Sequence, residues 1–424
     1  MIKKTALIWI LLVLGLCTHA QTHVHAYNEQ IRTLRVERVF LALTNGIVDG
    51  TDESNTLHIS FDEMSHDVKM YTYRVQMMEW STSPQEGMLK PNESLTSGEY
   101  LRGFTTRDIT DYEHSFNTSR EYTHYWFDFP NEDMQLTKSG NYRLTIYEDG
   151  NPDNKVADVD FCVVEPLVKM ATKVRANTDI EFNGRYQQVD IELGLQEFTS
   201  RYQPSEFRLL VTQNNRLDNC VTLTQPTYIE PNRLRYINNK ALIFEGGNEY
   251  HHFDAFSRFY AGTGIDRVFH EMGDYHAPLS ADELTTGIYI HRFDANGRYL
   301  VNAERTNDPD TEAEYMWIYW SLPAEKPWFD GALYVGGELF HNELGLRNRM
   351  QYDNETKCYW LTALVKQGGY DYQYWFVPKN GATTTLRVDG SYWQTENEYA
   401  VYVYWRPFGE RYDRLVGVQV IKSN

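Results

Sequence analysis

The stretch from Tyr112 to Gly150 limits the possible folds most, because it holds two aromatic-rich runs separated by a polar loop. In each run the large apolar residues alternate with polar ones, as a strand with one buried face requires. The alternating residues are Tyr125, Phe127 and Phe129 in the first run and Tyr142, Leu144 and Ile146 in the second. Between them, Pro130–Asp133 and Ser139–Asn141 favour turns. The stretch predicts a hairpin in an antiparallel sandwich.

The first twenty residues are typical of a secretory signal peptide. Lys3 and Lys4 precede an apolar run, and cleavage is expected after Ala20. The run is too short to cross a bilayer as a helix, and no later stretch approaches the roughly 20 apolar residues needed. We therefore expect an exported, soluble chain. Acylation at Cys17 is the alternative, but bulky Leu16 stands where lipoprotein signals favour a small residue.

Charge and cysteine content narrow the class of protein. The net charge of -19 opposes binding to nucleic acid or to an anionic membrane surface. Cleavage would leave Cys162, Cys220 and Cys358, too few and too scattered for a disulfide-stabilised scaffold. Their pairing state is open, although an odd number leaves at least one thiol without an internal partner.

Strand-like runs recur along the chain and predict an all-β protein with two or three immunoglobulin-like or early-set β-sandwich domains in tandem. The runs in the first region are Val36–Leu43, Leu57–Phe61, Lys69–Met78 and Val156–Val164. In the middle region they are Tyr186–Leu193, Glu206–Gln213, Arg235–Phe244, Gly287–Phe293, Tyr299–Val301 and Tyr315–Trp320. In the last region they are Ala332–Val335, Tyr359–Lys366, Tyr370–Val377 and Tyr399–Trp405.

Turn and linker residues set the expected boundaries. Proline at Glu165-Pro166 ends the first region, and Ser321–Pro327 contains two prolines and suggests a second linker. The expected domains are residues 21–165, 166–326 and 327–424. Asn296-Gly297 predicts a tight hairpin turn, and Gly368-Gly369 is expected to connect the two central strands of the last domain.

Aromatic residues are concentrated towards the C-terminus. Seven of the ten tryptophans lie between Trp317 and Trp405, and the run Tyr370–Trp375 carries aromatic side chains on both faces. A thin core between two sheets explains most of them. A binding surface for a partner or a sugar is the alternative, since Trp and Tyr are enriched in such surfaces.

Gly246–Asp254 is the best candidate site in the middle domain, with two glycines, two histidines and two carboxylates. On a strand His251 and His252 would point to opposite faces, and no third histidine lies at zinc-like spacing, so we expect no metal site. The glycines are expected to permit a tight bend or a close approach of another segment.

Other chemical signals are weak. His23 and His25 share a face but belong to a terminus expected to be mobile. Glu132 and Asp133 are interpreted as solvated turn carboxylates, and the triplet Asn117-Thr118-Ser119 is given no role. The sequence has no Gly-x-Ser-x-Gly elbow, phosphate loop or His-Glu-x-x-His helix, so we expect no enzyme, no catalytic residues and no cofactor.

Eight short segments, spread in order over the chain, together resemble the type IX secretion system plug proteins, an exported family of Bacteroidetes. The segments are Tyr112–Thr118, Tyr122–Tyr125, Pro130–Met134, Ser139–Tyr142, Gly246–Tyr250, Asn348–Met350, Lys366–Tyr374 and Tyr404–Phe408. The first domain is similar to the N-terminal domain of that family. The chain departs from the family pattern at His251-His252, where Arg or another aromatic residue is more familiar.

The resemblance implies a non-enzymatic periplasmic protein at the inner face of the outer membrane. It would close the giant translocon barrel, its partner, when cargo and shuttle protein are absent, without entering the membrane itself. A reversible seal of this kind suits a moderately polar interface with a few aromatic anchors. The residues that contact the partner and the event that releases the plug remain unknown.

A carbohydrate-binding protein is the competing interpretation. Tyr334–Leu339 and the aromatic run of the last domain resemble early-set modules found beside glycan-active enzymes. An exposed coplanar pair among Trp360, Trp375 and Trp393 would favour sugar stacking.

Overall fold

The structure is a computed structural model that describes residues 23–423, apart from 39, 49, 51, 82–87, 197, 199–201 and 288. The predicted signal peptide, residues 1–20, lies outside the described residues. Within them the chain is built from short strands and two one-turn α-helices, α1 (Ser97–Tyr100) and α2 (Pro309–Glu312). The all-β prediction is confirmed, while the immunoglobulin-like detail stays a prediction.

The first sandwich contains thirteen strands in the described part of residues 23–164. They are β1 (His23–Ala26), β2 (Ile31–Val36), β3 (Phe40–Ala42), β4 (Leu57–Glu63), β5 (Tyr71–Trp80), β6 (Leu89–Pro91), β7 (Leu101–Gly103), β8 (Thr106–Ile109), β9 (Asp111–His114), β10 (Thr123–Phe129), β11 (Met134–Leu136), β12 (Gly140–Glu148) and β13 (Lys155–Val164). One sheet is formed by β1, β3, β5, β6, β8, β12 and β13, and the other has the order β2-β4-β10-β9. A separate ribbon pairs β7 with β11.

The predicted inward faces of β10 and β12 are confirmed, but their pairing as a hairpin is wrong. The six alternating residues are all buried in one core. However, β10 pairs with β4 and β9, whereas β12 pairs with β5 and β13 in the opposite sheet. Tyr73 of β5 stacks on Phe127 of β10 with ring centroids 4.5 Å apart, which places the two sheets face to face. Alternation identifies the buried face of a strand but does not identify its partner.

Two further sandwiches follow. Between residues 169 and 245 the strands are β14 (Lys169–Arg175), β15 (Tyr186–Gly194), β16 (Phe207–Gln213), β17 (Arg216–Leu223), β18 (Tyr228–Glu230), β19 (Arg233–Tyr236) and β20 (Ile243–Glu245). Then come β21 (His251–Asp254), β22 (Phe269–Glu271), β23 (Asp274–Pro278), β24 (Tyr299–Val301), β25 (Tyr315–Pro323), β26 (Gly331–Gly336), β27 (Gln351–Asp353), β28 (Cys358–Lys366), β29 (Gly368–Pro378), β30 (Glu398–Trp405) and β31 (Arg414–Lys422).

The last two strands belong to the second sandwich, not to a separate C-terminal domain. β30 pairs with β16 from Phe207↔Trp405 to Gln213↔Tyr399, giving the sheet order β17-β16-β30-β31. This sheet packs against β14, β15, β18, β19 and β20 through a shared core. The third sandwich, β21 to β29, is therefore inserted into the second. The expected division at 326/327 does not follow the sheets, because β25 includes Ser321–Pro323 and pairs with β28.

The third sandwich repeats the pattern of the first. β21, β24, β26 and β29 form one sheet, and β22, β23, β25, β27 and β28 form the other. The chain leaves β28 and enters β29 in the opposite sheet within one residue, Gln367, so the predicted pairing of these strands through Gly368-Gly369 is wrong. Tyr370, Tyr372 and Tyr374 all enter the core between the sheets, as the core interpretation predicts.

Several predicted runs differ from the observed strands. Residues 287 and 289–293 form no strand, so Asn296-Gly297 makes a turn with both φ angles positive (56° and 86°) but closes no hairpin. Val36–Leu43 divides between β2 and β3, and Arg235–Phe244 is interrupted between β19 and β20. Nearly all strand pairs are antiparallel; β3 with β13 and β23 with β25 are parallel.

Candidate functional site: the junctions between the sandwiches

The first and third sandwiches meet through the outer faces of two sheets, around a buried carboxylate. Asp62 of β4 is the register partner of His124 in β10, and its Oδ1 lies 2.6 Å from His124 Nδ1. Its Oδ2 accepts hydrogen bonds from Lys366 Nζ at 2.6 Å and from the Tyr315 hydroxyl at 2.7 Å. All four side chains are buried. One carboxylate thus takes donors from both sandwiches.

Electrostatics explain how a charged pair persists without water. Burial raises the pKa of Asp62, but Lys366 and His124 more than offset this effect, and the net shift is downward. Burial lowers the pKa of Lys366, and Asp62 opposes that change. The ammonium also donates to the Asp310 carbonyl at 2.6 Å and lies 4.2 Å from the Tyr122 ring centroid. These partners replace the lost hydration.

Thr33 adds a strained element to this junction. The register of β2 against β4 shifts between Arg32 and Arg35, and Thr33 in this bulge has a φ of 48°. A β-branched residue is unfavourable in the left-handed region. The Thr33 hydroxyl hydrogen-bonds with the Tyr315 hydroxyl of the third sandwich, and Arg35 forms an ion pair with Asp310. The bulge therefore aims two side chains of the first sandwich at the third.

The loop after β9 completes the contact. The backbone N–H groups of Ser119 and Arg120 donate to the buried Glu314 carboxylate at 2.7 and 3.3 Å. Arg120 forms two parallel hydrogen bonds with Asp274, at 2.8 and 2.6 Å. Arg258 donates to the Asn117 carbonyl at 2.8 Å. The triplet Asn117-Thr118-Ser119, which the sequence left without a role, lies at this junction.

The first and second sandwiches share a small apolar core with one polar bond inside it. Trp80 meets Tyr404 edge to face at 5.2 Å, and both are buried together with Cys162 and Leu415. The Tyr404 hydroxyl donates to Asn141 Oδ1 at 2.8 Å. This contact gives the segment Tyr404–Phe408 a structural role in joining the sandwiches.

The second and third sandwiches are joined by polar and charged groups. Thr384, which pairs with Phe376 of β29, donates from its hydroxyl to the Glu245 carboxylate of β20 at 2.7 Å. Arg298 pairs with Glu398 at 2.5 Å. Arg216 of β17 lies 4.0 Å above the ring of Trp375 in β29 while pairing with Asp218. All three sandwiches therefore contact one another through specific buried groups.

The two adjacent histidines are each held between two aspartates. As predicted, they point to opposite faces of β21: His251 is buried and His252 is exposed. His251 lies 3.0 Å from Asp282 and 2.8 Å from Asp389. Burial disfavours its charge, but Coulombic attraction by Asp389 and hydrogen bonds with both aspartates prevail and raise its pKa to about 10. His251 thus acts as a charged cross-link between separate loops.

His252 has the same arrangement on the other face. It lies 2.7 Å from Asp371 and 2.8 Å from Asp254. Burial opposes its charge, and the hydrogen bonds with Asp254 and Asp371 raise its pKa to about 9. Among the described residues, no group of three or more His, Cys, Asp or Glu side chains is placed to hold a metal ion. The described helices include none long and apolar enough to cross a membrane.

The glycines before these histidines behave as the sequence predicts. A Cβ on Gly246 would lie 2.1 Å from the Tyr392 carbonyl oxygen, so another segment approaches its backbone closely. Gly247 has a φ of 66°, which permits the bend. The segment Gly246–Tyr250 therefore passes directly against the 391–397 segment.

Other predicted residues lie as follows. Glu132 is exposed, and Asp133 forms an ion pair with Arg107 at 2.9 Å. His23 and His25 do not belong to a loose end, because β1 pairs with β13 and both imidazoles contact Glu343, at 3.1 and 2.8 Å. The expectation of incidental, mobile histidines is wrong.

The tryptophans expected under the carbohydrate interpretation form no coplanar pair. Trp375 is buried beneath Arg216, Trp393 is half-buried, and Trp360 is exposed (42%). None of the aromatic rings in the described part of the chain stacks on Trp360. No disulfide bond joins any two of Cys162, Cys220 and Cys358 in the structure.

The family model described as the type 9 secretion system plug protein first domain matches residues 31–165. A crystal structure of a hypothetical protein from Parabacteroides merdae is 34% identical, with a TM-score of 0.88, and the alignment covers 95% of this chain and 100% of that chain. Its similarity extends over all three sandwiches. No curated protein matches the chain significantly.

Two other solved structures resemble the chain far less. The BSP domain of a biofilm-associated protein is 7% identical with a TM-score of 0.17, covering 96% of this chain and 61% of that chain. Dimeric latent PorU from Porphyromonas gingivalis is 10% identical with a TM-score of 0.14, covering 95% and 34%. Neither value supports an argument about fold. Residues 31–165, the first sandwich, therefore match the first domain of the type IX secretion system plug proteins.

Proposed function

We propose that the chain is a non-enzymatic component of the type IX secretion system that closes the periplasmic end of the outer-membrane translocon barrel. It would do so when cargo and shuttle protein are absent. A cleaved signal peptide would deliver it to the periplasm, at the inner face of the outer membrane. The match of the first sandwich to the plug protein first domain supports a role in type IX secretion; the closure itself is our proposal.

The observation that carries the proposal is the three-way contact between the sandwiches. A pore wide enough for folded proteins can be closed only by a body that keeps its shape across the opening. Hinged domains would leave gaps. The buried pairs Asp62–Lys366 and Arg298–Glu398, with the Trp80–Tyr404 contact, oppose such hinge motion. Relative motion is the default for domains in one chain, so the proposal depends on these buried contacts to prevent it.

Affinity purification from the envelope of a native host tests the proposed partner. A tagged chain should recover a giant outer-membrane barrel after mild detergent extraction. An unrelated tagged periplasmic protein serves as the control. Recovery of glycans alone, or of no partner, would overturn the proposal, and the former would restore the carbohydrate interpretation.

Envelope permeability tests the closure. Deletion of the gene should admit a large antibiotic that intact envelopes exclude, and the wild-type gene should restore exclusion. A deletion strain that stays impermeable would contradict closure even if the barrel is recovered in the purification.

A further inference from the structure

A cavity of about 250 Å³ lies at the edge of the junction between the first and third sandwiches. Its walls combine Arg32 and Arg120 with Trp317, Met64 and Leu364. The first sandwich supplies both arginines and Met64, and the third supplies Trp317 and Leu364. The cavity exists because the two sandwiches meet, and neither forms it alone.

Among the described residues, Arg32 lines this cavity without an ion-pair partner. Arg35, across the bulge on the same strand, pairs with Asp310, and Arg120 pairs with Asp274. By contrast, Arg32 Nε is buried with no hydrogen-bond acceptor, and no carboxylate among the described residues pairs with its guanidinium. A buried polar group left unpaired usually indicates a missing water, ion or ligand.

The cavity holds two arginines and two carboxylates, and the arginines are the more buried pair, which favours an anion at this place although the chain as a whole is strongly acidic. Burial lowers the pKa of Arg32, and the nearby positive charges of Arg347 and Arg120 lower it further, while Glu29 opposes them. Glu29 and Glu121 are the two carboxylates of the lining, and both are exposed to solvent. Within the described part of the chain, neither Arg32 nor Arg347 is paired with a carboxylate, unlike Arg35 and Arg120.

The chemistry of the walls narrows the ligand. A guanidinium recognises a carboxylate through two parallel N–H···O bonds. Trp317 offers an aromatic wall whose Nε1–H is already donated to Asp274 at 2.9 Å, and Met64 and Leu364 are apolar. The volume suits a short acidic group and is below that of most sites for drug-sized ligands.

We propose that this cavity is a carboxylate-binding site, in which Arg32 binds the carboxylate and Trp317, Met64 and Leu364 contact its aliphatic stem. The carboxylate is either a free small acid or an acidic side chain presented by a protein segment. The site does not depend on closure of the translocon.

The test uses the purified full chain labelled with ¹⁵N at tryptophan indoles, with the Trp317 signal assigned by its absence in Trp317→Phe. Sodium acetate, sodium succinate and a capped glutamate peptide are titrated against sodium chloride at matched ionic strength. Saturable movement of the Trp317 signal by a carboxylate, with a dissociation constant in roughly the millimolar range, is expected. Tighter binding of the capped glutamate would identify a protein source, and tighter binding of succinate a free acid.

Arg32→Gln should weaken the binding about tenfold or more, since the bidentate pair is lost. The matched control is Arg74→Gln, which removes the same charge at an exposed site of the first sandwich. Arg32→Lys keeps the charge and should give an intermediate constant. The other indole signals report whether each variant remains folded. The proposal is overturned if chloride moves the signal equally, if no saturation occurs by about 100 mM, or if folded Arg32→Gln titrates like Arg74→Gln.

Discussion

Lys366 and Asp62 are separated by 304 residues in sequence, yet the ammonium nitrogen lies 2.6 Å from the carboxylate and both side chains are fully buried. Each projects from the outer face of its own sandwich. The pair therefore reports directly on whether the first and third sandwiches are docked.

Lys366→Met should destabilise the protein by about 3–5 kcal/mol, because it leaves Asp62 buried without its cation. Asp62→Asn with Lys366→Met should recover much of this loss, since two neutral groups no longer require a counter-charge. Urea unfolding of the single and double variants measures the free energies. Equal losses in the single and double variants would show that packing, not charge, holds the junction.

Stability should depend on pH through His251. Its pKa is raised from 6.5 to about 10 in the folded state. The stabilisation is complete below pH 6.5 and is lost as pH rises through 10. The wild-type advantage over His251→Gln, on the order of a few kcal/mol, should therefore shrink between these values. Exposed His270 provides the control: His270→Gln should show no such trend in urea unfolding from pH 6 to 10. A constant advantage would contradict the charged cross-link.

Asp294 should show the opposite behaviour to an ordinary carboxylate. Burial raises its pKa to about 7, and the neighbouring Asp371 and Glu249 add to the rise. Between about pH 4 and 7 the folded state binds more protons than the unfolded state, so ionisation of Asp294 removes stability as pH increases. Asp294→Asn keeps the acceptor for Asn296 N but loses the one for Tyr250 N, so the expected result is a rise in its stability relative to wild type from pH 4 to pH 7, as Asp294 ionises.

The control for this experiment is Asp266→Asn, at an exposed position. Thermal unfolding at pH 4, 5.5 and 7 measures the stability of each variant relative to wild type. If the difference in melting temperature between Asp294→Asn and wild type does not change with pH across this range, Asp294 is ionised throughout and the prediction is wrong.

Gly246→Ala should cost about 2 kcal/mol or more, because the new Cβ would overlap the Tyr392 carbonyl and backbone atoms yield little. Gly98→Ala, where a Cβ meets nothing within 4 Å and the residue belongs to α1, should be neutral or stabilising. Chemical unfolding compares the two. A similar small effect at both positions would show that the 391–397 segment can move away.

The sequence predicts the faces of strands well because alternation follows directly from burial. Tyr125 and Tyr142 are assigned correctly to the core of the first sandwich on that basis. Pairing is different: two successive runs joined by a short loop can form a hairpin or cross to the opposite sheet with the same pattern. The chain passes from one sheet to the opposite sheet near Pro130 and at Gln367. Where it does so depends on how the complete sheets assemble, and the pattern of a single run does not contain that information.

The junction residues escape sequence reasoning for a related reason. Asp62 and Lys366 occupy outward positions on β4 and β28, where charged residues are ordinary. They become buried when a second outer face covers them. Thr33 gives no signal either, because its left-handed backbone conformation depends on the bulge in β2, and a threonine there does not indicate a bulge. The His251-His252 pair stands out in the sequence, but three of its four aspartate partners, Asp282, Asp371 and Asp389, come from distant segments.

The insertion of the third sandwich between β20 and β30 also determines the order in which the chain can assemble. β16 finds its partner strand almost two hundred residues later, so the second sandwich is incomplete until the last thirty residues are available. The third sandwich is continuous in sequence and can form first. Its closure brings residues 250 and 379 towards each other, shortening the loop that β16 and β30 must close. Under the proposed export, the second sandwich stays open at the centre of the molecule until β30 has crossed the membrane.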